Sequence, residues 1–135
     1  MMDTQRRRER GQELVEYALL LPIFLLLLMV LLDMGRAIYY YSTVQNAARA
    51  GARYGIVHTN DTAGVAAAAR QIAVGLDPAN FTVTVVWDIT PAGSIPDTVN
   101  VRVAYHFDII TPIIGTLIGS NQIFLVGRAT MQLEQ

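Results

Sequence analysis

Nineteen consecutive residues, Leu14 to Leu32, hold a single charge, Glu16, and a single helix breaker, Pro22. That length is close to the roughly 20 apolar residues a helix needs to cross a bilayer. The run accounts for a composition of 53% apolar and 16% charged residues, which is high for a soluble domain of 135 residues. Outside it the composition is ordinary and mixed. The chain therefore reads as one membrane segment joined to one small domain that folds in water.

Charge is distributed unevenly around the run. The first eleven residues carry four arginines against two acids, a balance of +2, and residues 12–135 carry six arginines against nine acids, a balance of −3. Short basic flanks stay on the cytoplasmic side. The expected arrangement is a single span in the cytoplasmic (inner) membrane, N-terminus inside and the domain after Leu32 outside. No large basic field is left on the outer part, which argues against a nucleic-acid partner. The absence of cysteine removes disulfides, thiolate metal sites and cysteine nucleophiles together.

The N-terminus admits three readings. A cleaved secretory signal needs a shorter apolar core followed by a small-residue site; here the run leads into Asp33, Met34, Gly35 and Arg36, then Tyr39, Tyr40 and Tyr41. A plain signal anchor fits the run, the basic flank and an aromatic belt of tyrosines. It leaves Glu16 unexplained, although a carboxylate at membrane depth costs about 2.5 kcal/mol or more. In the third reading a peptidase on the cytoplasmic side cuts after Gly11 and leaves a free amine on Gln12. Glu16 then lies four residues on, about one helical turn from a new positive charge.

The stretch GQELVEYALLLP resembles the prepilins of the type IV filament superfamily, with Glu16 and Tyr17 placed after a glycine and four residues as in tight-adherence (Flp) pilins. Its continuation, LLDMGRAIYYYSTVQNAARAGARYG, resembles the TadE-like family of minor pilins from the same system; the likeness is close from Gly11 to Gly55 and looser at the C-terminal ATMQLE. The resemblance implies removal of a leader by a prepilin peptidase between Gly11 and Gln12, with the apolar helix retained. It further implies that Glu16, with Tyr17 beside it, pairs with the Gln12 amine of its own chain or a neighbour. Other pilin subunits, the assembly platform and membrane lipid are then the expected partners, and the chain is a structural subunit with no cofactor and no catalysis of its own. The alternative is an unprocessed single-span anchor that presents a binding module in the cell envelope.

Beyond the membrane, nothing from Asp33 to Tyr54 breaks a helix decisively, so one rod on the order of 65 Å is expected from about Gln12 to Tyr54. Asp33 and Arg36 are spaced to pair across one turn at the membrane exit. Pro22 removes the backbone bond to Ala18, and a kink is expected there. Ala37, Tyr41, Val44, Ala48 and Ala52 form a stripe of modest side chains opposite Gln45, Asn46, Arg49 and Arg53, and small residues permit close approach.

Thr62 is placed to cap a second helix, with Val65, Ala69, Ile72 and Ala73 as its apolar stripe and Gly75 as its stop. FTVTVVWD and VNVRVAYHFD alternate as strands; the second puts Val99, Val101, Val103, Tyr105 and Phe107 on one face and Asn100, Arg102, His106 and Asp108 on the other. A third strand, Ile123 to Leu133, contains Gly127, which suggests a bulge or an edge. ITPAGSIP between the first two strands reads as a polar turn. IITPIIGTLIG, residues 109–119, reads as an apolar loop that tucks onto the stalk or faces another subunit or the lipid, with contact to the stalk or a neighbour expected. The expected fold class is α+β: leader 1–11, membrane and stalk helix 12–55, and a head 56–135 with a short helix and a small three-stranded antiparallel sheet.

Chemistry is sparse. His106 and Asp108 share a strand face, but no further ligand gathers around them, His58 is the only other histidine, and Ser42, Ser94 and Ser120 lack a nucleophile's setting. Asn60 and Asn80 begin Asn-x-Thr triplets that match the glycosylation pattern and read equally as turns. Arg49, Arg53 and Arg70 read by default as solvated charge.

Overall fold

The computed structural model describes residues 2–88 and 97–133, with side chains from residue 12 onward except at 112, 113 and 117. The ITPAGSIP connection and Ser94 lie outside the described residues. One helix, α1 (Met2–Val57), is followed by α2 (Thr62–Ile72), a 3₁₀ turn (Pro78–Asn80), β1 (Phe81–Asp88), β2 (Thr98–Asp108), α3 (Pro112–Ile118) and β3 (Gln122–Gln132). At 1.5 Å per residue the 56 residues of α1 make a rod of about 84 Å. The rod starts earlier than the 12–54 helix expected and runs through the basic segment; Pro22 lies inside it.

The strands form one antiparallel sheet in the order β1-β2-β3. Alternation along β2 decides its register, because a slip by one residue would turn every valine to solvent. Val99, Val101, Val103, Tyr105 and Phe107 are all buried, as the sequence pattern required. Pairing with β3 runs unbroken from Thr98↔Gln132 to Asp108↔Gln122. Gly127 therefore marks an edge strand without a bulge. The glycine answers a different need: a Cβ there would sit 2.6 Å from the carbonyl oxygen of Val44.

That close approach explains the buried face of α1. Val44, Ala47, Ala48 and Ala52 are fully buried, joined by Gly51 and Gly55, while Tyr41 from the expected stripe is exposed and Tyr40 takes the inward place. The sheet lies against helix backbone, so only small side chains fit between. Val65 and Ala69 of α2, with Leu76 and Phe81, complete the core; Ile72, expected on the same stripe, is exposed. The cap of α2 also shifts by one: Asp61 accepts from the Gly64 amide at 2.8 Å, and Thr62 instead accepts from the Trp87 indole at 3.0 Å. A carboxylate at the N-cap satisfies an otherwise open helix amide.

The contacts run in sequence along the rod. Val99 lies by Gly55, Val101 by Gly51, Gly127 by Val44, and the Tyr105 and Phe107 rings edge onto Tyr40. The rise of helix from residue 33 to 55 and the length of extended chain from 99 to 110 are each about 33 to 36 Å. The sheet thus stands lengthwise along α1, and the end at Asp108 and Gln122 faces the apolar run.

Gly127→Ala is expected to lower stability by ~1–3 kcal/mol, the usual cost of overpacking. Gly35, where a Cβ meets nothing within 4 Å, provides the control: Gly35→Ala is expected to be neutral or stabilising by up to ~1 kcal/mol. Thermal unfolding of the full chain in micelles, followed by circular dichroism, reads both; equal midpoints for the two variants would contradict the close approach.

Candidate functional site

Two places on α1 carry chemistry that the head does not. The first is the N-terminal end of the apolar run. From Leu14 to Leu32 the side chains are exposed or at most half-buried, and this helix is long and apolar enough to cross a membrane. The Gly11–Gln12 peptide lies within α1. Gln12, Glu16 and Tyr17 are all exposed. Residues four apart lie one above the other on a helix, and side chains lean toward its N-terminus, so Glu16 is directed back toward Gln12. Among the described residues no hydrogen bond or ion pair reaches the Glu16 carboxylate.

The second place is Asp33, one residue past the run and only 5% exposed. Its Oδ2 accepts from the Thr111 amide at 2.8 Å, the Thr111 hydroxyl at 2.7 Å and the Ile110 amide at 3.1 Å; Oδ1 accepts from Arg36 Nη1 at 3.3 Å. Burying a carboxylate costs several kcal/mol unless donors surround it, and here they do. Arg36 in turn lies over the Phe107 and Tyr40 rings, 5.1 and 5.6 Å from their centroids. Cation–π contacts of this kind contribute about 0.5–2 kcal/mol.

Sequence spacing found the Asp33–Arg36 pair but not its tie to the loop. The missed signal is Thr111-Pro112. Proline at the first helical position starts α3, replacing the loop expected for residues 109–119, and Thr111 occupies the N-cap without capping its own helix. Its hydroxyl and amide are thereby available to Asp33. The expected contact of this segment with the stalk is present in that form.

Elsewhere the sequence candidates separate. The His106 ring stands edge-on to Phe124 at 4.5 Å, while Asp108 accepts from the Gln122 side chain at 2.9 Å. His58 stacks on Tyr54 at 4.1 Å, and Ser120 donates to the Gln122 carbonyl. Asn60 makes the turn before α2 with φ of 65°, a conformation asparagine tolerates, and Asn80 closes the 3₁₀ turn. Arg49, Arg53 and Arg70 are exposed, the first two beside Asn46 and Ile72 in a shallow groove. Among the described residues no three histidines or acids come together as a metal site.

Residues 11–53 match the family model described as TadE-like protein. This segment is TadE-like. The match starts at Gly11 and takes in Gln12, Glu16, Asp33 and the small-residue face as far as Ala52; all of residues 56–135 lie outside it. No curated protein and no solved structure matches the chain. A TadE-like segment on a long apolar helix fits a pilin-like, membrane-anchored protein, and that family is structural and not enzymatic.

Asp33→Ala strands three donors of the loop and is expected to cost about 3–5 kcal/mol, with Thr111→Val costing ~1–2 kcal/mol. In a double-mutant cycle the two losses should be non-additive by at least ~0.5 kcal/mol, since the residues share their bonds. Additive losses would break the link between exit and head.

Proposed function

We propose that this chain is a TadE-like prepilin: a membrane-anchored structural subunit processed by a prepilin peptidase between Gly11 and Gln12 and incorporated into a tight-adherence type IV pilus or its assembly complex. The observation that carries the reading is Glu16, a carboxylate exposed on an apolar helix, one turn from Gln12 and, among the described residues, without a partner. Cleavage creates an ammonium at Gln12, and a carboxylate and ammonium brought together in an apolar setting hold one register. Such a pair adds little net stability, but loss of one member strands the other at a cost of about 3–5 kcal/mol.

The basic leader keeps the N-terminus in the cytoplasm and places the head outside the cytoplasmic membrane, held there until incorporation. Pilin subunits, of the same or a related kind, meet the exposed apolar face of α1 once it leaves the lipid, and the assembly platform is the other expected partner. The likeness to minor pilins predicts a subunit that is rare in isolated filaments.

The N-terminus of the mature protein tests this. In cells with the peptidase the chain should begin at Gln12; an intact arginine leader would support the unprocessed anchored binding module instead. Glu16→Ala should insert and be cleaved but fail to enter filaments or the assembly complex. Normal incorporation of that variant would remove the role given to Glu16.

A further inference from the structure

The Asp33 clamp fixes the height of one part of the head relative to the apolar run. Ile110 and Thr111 are bonded directly to a residue that follows Leu32 by one position, about 1.5 Å along the helix axis. The segment leaving the clamp, residues 109–119, contains no charge. Its described side chains are turned outward in part: Ile110 is 61% exposed and Ile118 59%. On the same end of the sheet Phe124 is 66% exposed, and Ile123 is partly so. On α1 at this level Leu31, Leu32 and Met34 are exposed as well. Apolar surface therefore lies on both the helix and the head at this level, and the part-exposed guanidinium of Arg36 between them is drawn onto Asp33 and the Tyr40 and Phe107 rings.

We propose that α3 and the adjoining tip of β3 are a second membrane contact, in which Ile110, Ile118 and Phe124 dip into the outer-leaflet interface beside the point where α1 leaves it. The occupant is lipid, because the clamp holds this patch level with the end of the apolar run whether or not another protein is present. An isolated helix end would let the head tilt freely; two contacts on one membrane set its orientation. The Phe124 ring, resting on His106, suits the interface, where aromatic groups collect with one side apolar and the other wet. Tyr39 and Tyr41, both half-exposed one to two turns above Asp33, extend this belt around the rod. The proposal rests on the reading of residues 14–32 as a membrane span.

The chain has no cysteine, so single-cysteine variants of the full chain can carry an environment-sensitive fluorophore without background. Ile118→Cys and Ile110→Cys report the proposed contact, Leu25→Cys the middle of the span, and Val86→Cys, on the opposite edge of the sheet, the aqueous head. In phosphatidylcholine vesicles containing nitroxide-labelled lipid, labels at 118 and 110 should show blue-shifted emission and lose most of it to nitroxides near the headgroup. The label at 25 should be quenched by mid-chain nitroxides, and the label at 86 by neither. A label at 118 open to aqueous iodide while that at 25 is lipid-quenched overturns the contact and leaves the span intact. A label at 118 shielded from both lipid nitroxide and iodide, with the shielding lost on dilution of protein in lipid, overturns it in favour of a second copy. An unquenched label at 25 overturns the span and the contact together.

Discussion

A carboxylate buried at the exit of an apolar helix is tolerable only if the protein surrounds it with donors. Asp33 meets that condition by holding both the amide and the hydroxyl of Thr111, the amide of Ile110 and the guanidinium of Arg36. The consequence is mechanical. The end of the sheet nearest the apolar run is tied to the helix at the point where the helix leaves that run, and the sheet must then lie along the rod. Without the tie, the lower end of the head would be held by the aromatic contacts around Tyr40, Arg36 over Phe107 and the packing of Ala37 and Ile109.

The upper part of the same junction is held by a different force. Gly127 brings β3 against the backbone of Val44, and Gly51 and Gly55 let valines of β2 and α2 settle on α1. Dispersion at this range gains little per atom and much in sum. The helix face is made of alanine and glycine because the sheet comes so near. The C-terminal half of α1 is accordingly part of the head's core, while its N-terminal half keeps an exposed apolar surface for lipid or other helices.

The strands and the span were legible because each rests on a local rule: period-two alternation in VNVRVAYHFD, and a near-chargeless run of membrane length from Leu14 to Leu32. What escaped was tertiary. Tyr41 and Tyr40 have the same chemistry, and which one turns inward depends on where the sheet docks. Gly127 reads as a bulge or an edge when only its own strand is in view; β3 is an edge, but the cause of the glycine is Val44, 83 positions earlier. The segment 109–119 looked like a loop because β-branched isoleucines are modest helix formers, and the proline that starts α3 reads as a breaker until its position at the first turn is known. Asp33 was placed correctly with Arg36, but a partner 78 residues away leaves no trace in spacing. Glu16 is the converse case. Its place was plain in the sequence, and among the described residues nothing in the fold pairs with it.

A chain tied from the end of the apolar run to the sheet transmits the position of its helix to its head. Amide hydrogen exchange of the full chain in micelles examines that tie at the joint made by Asp33. A clamped head predicts that the amides of Ile110 and Thr111 exchange as slowly as those of Val101 and Val103 in β2, opening only with the whole domain. Exchange of those two amides at the rate of exposed loop residues, with β2 still protected, would contradict it.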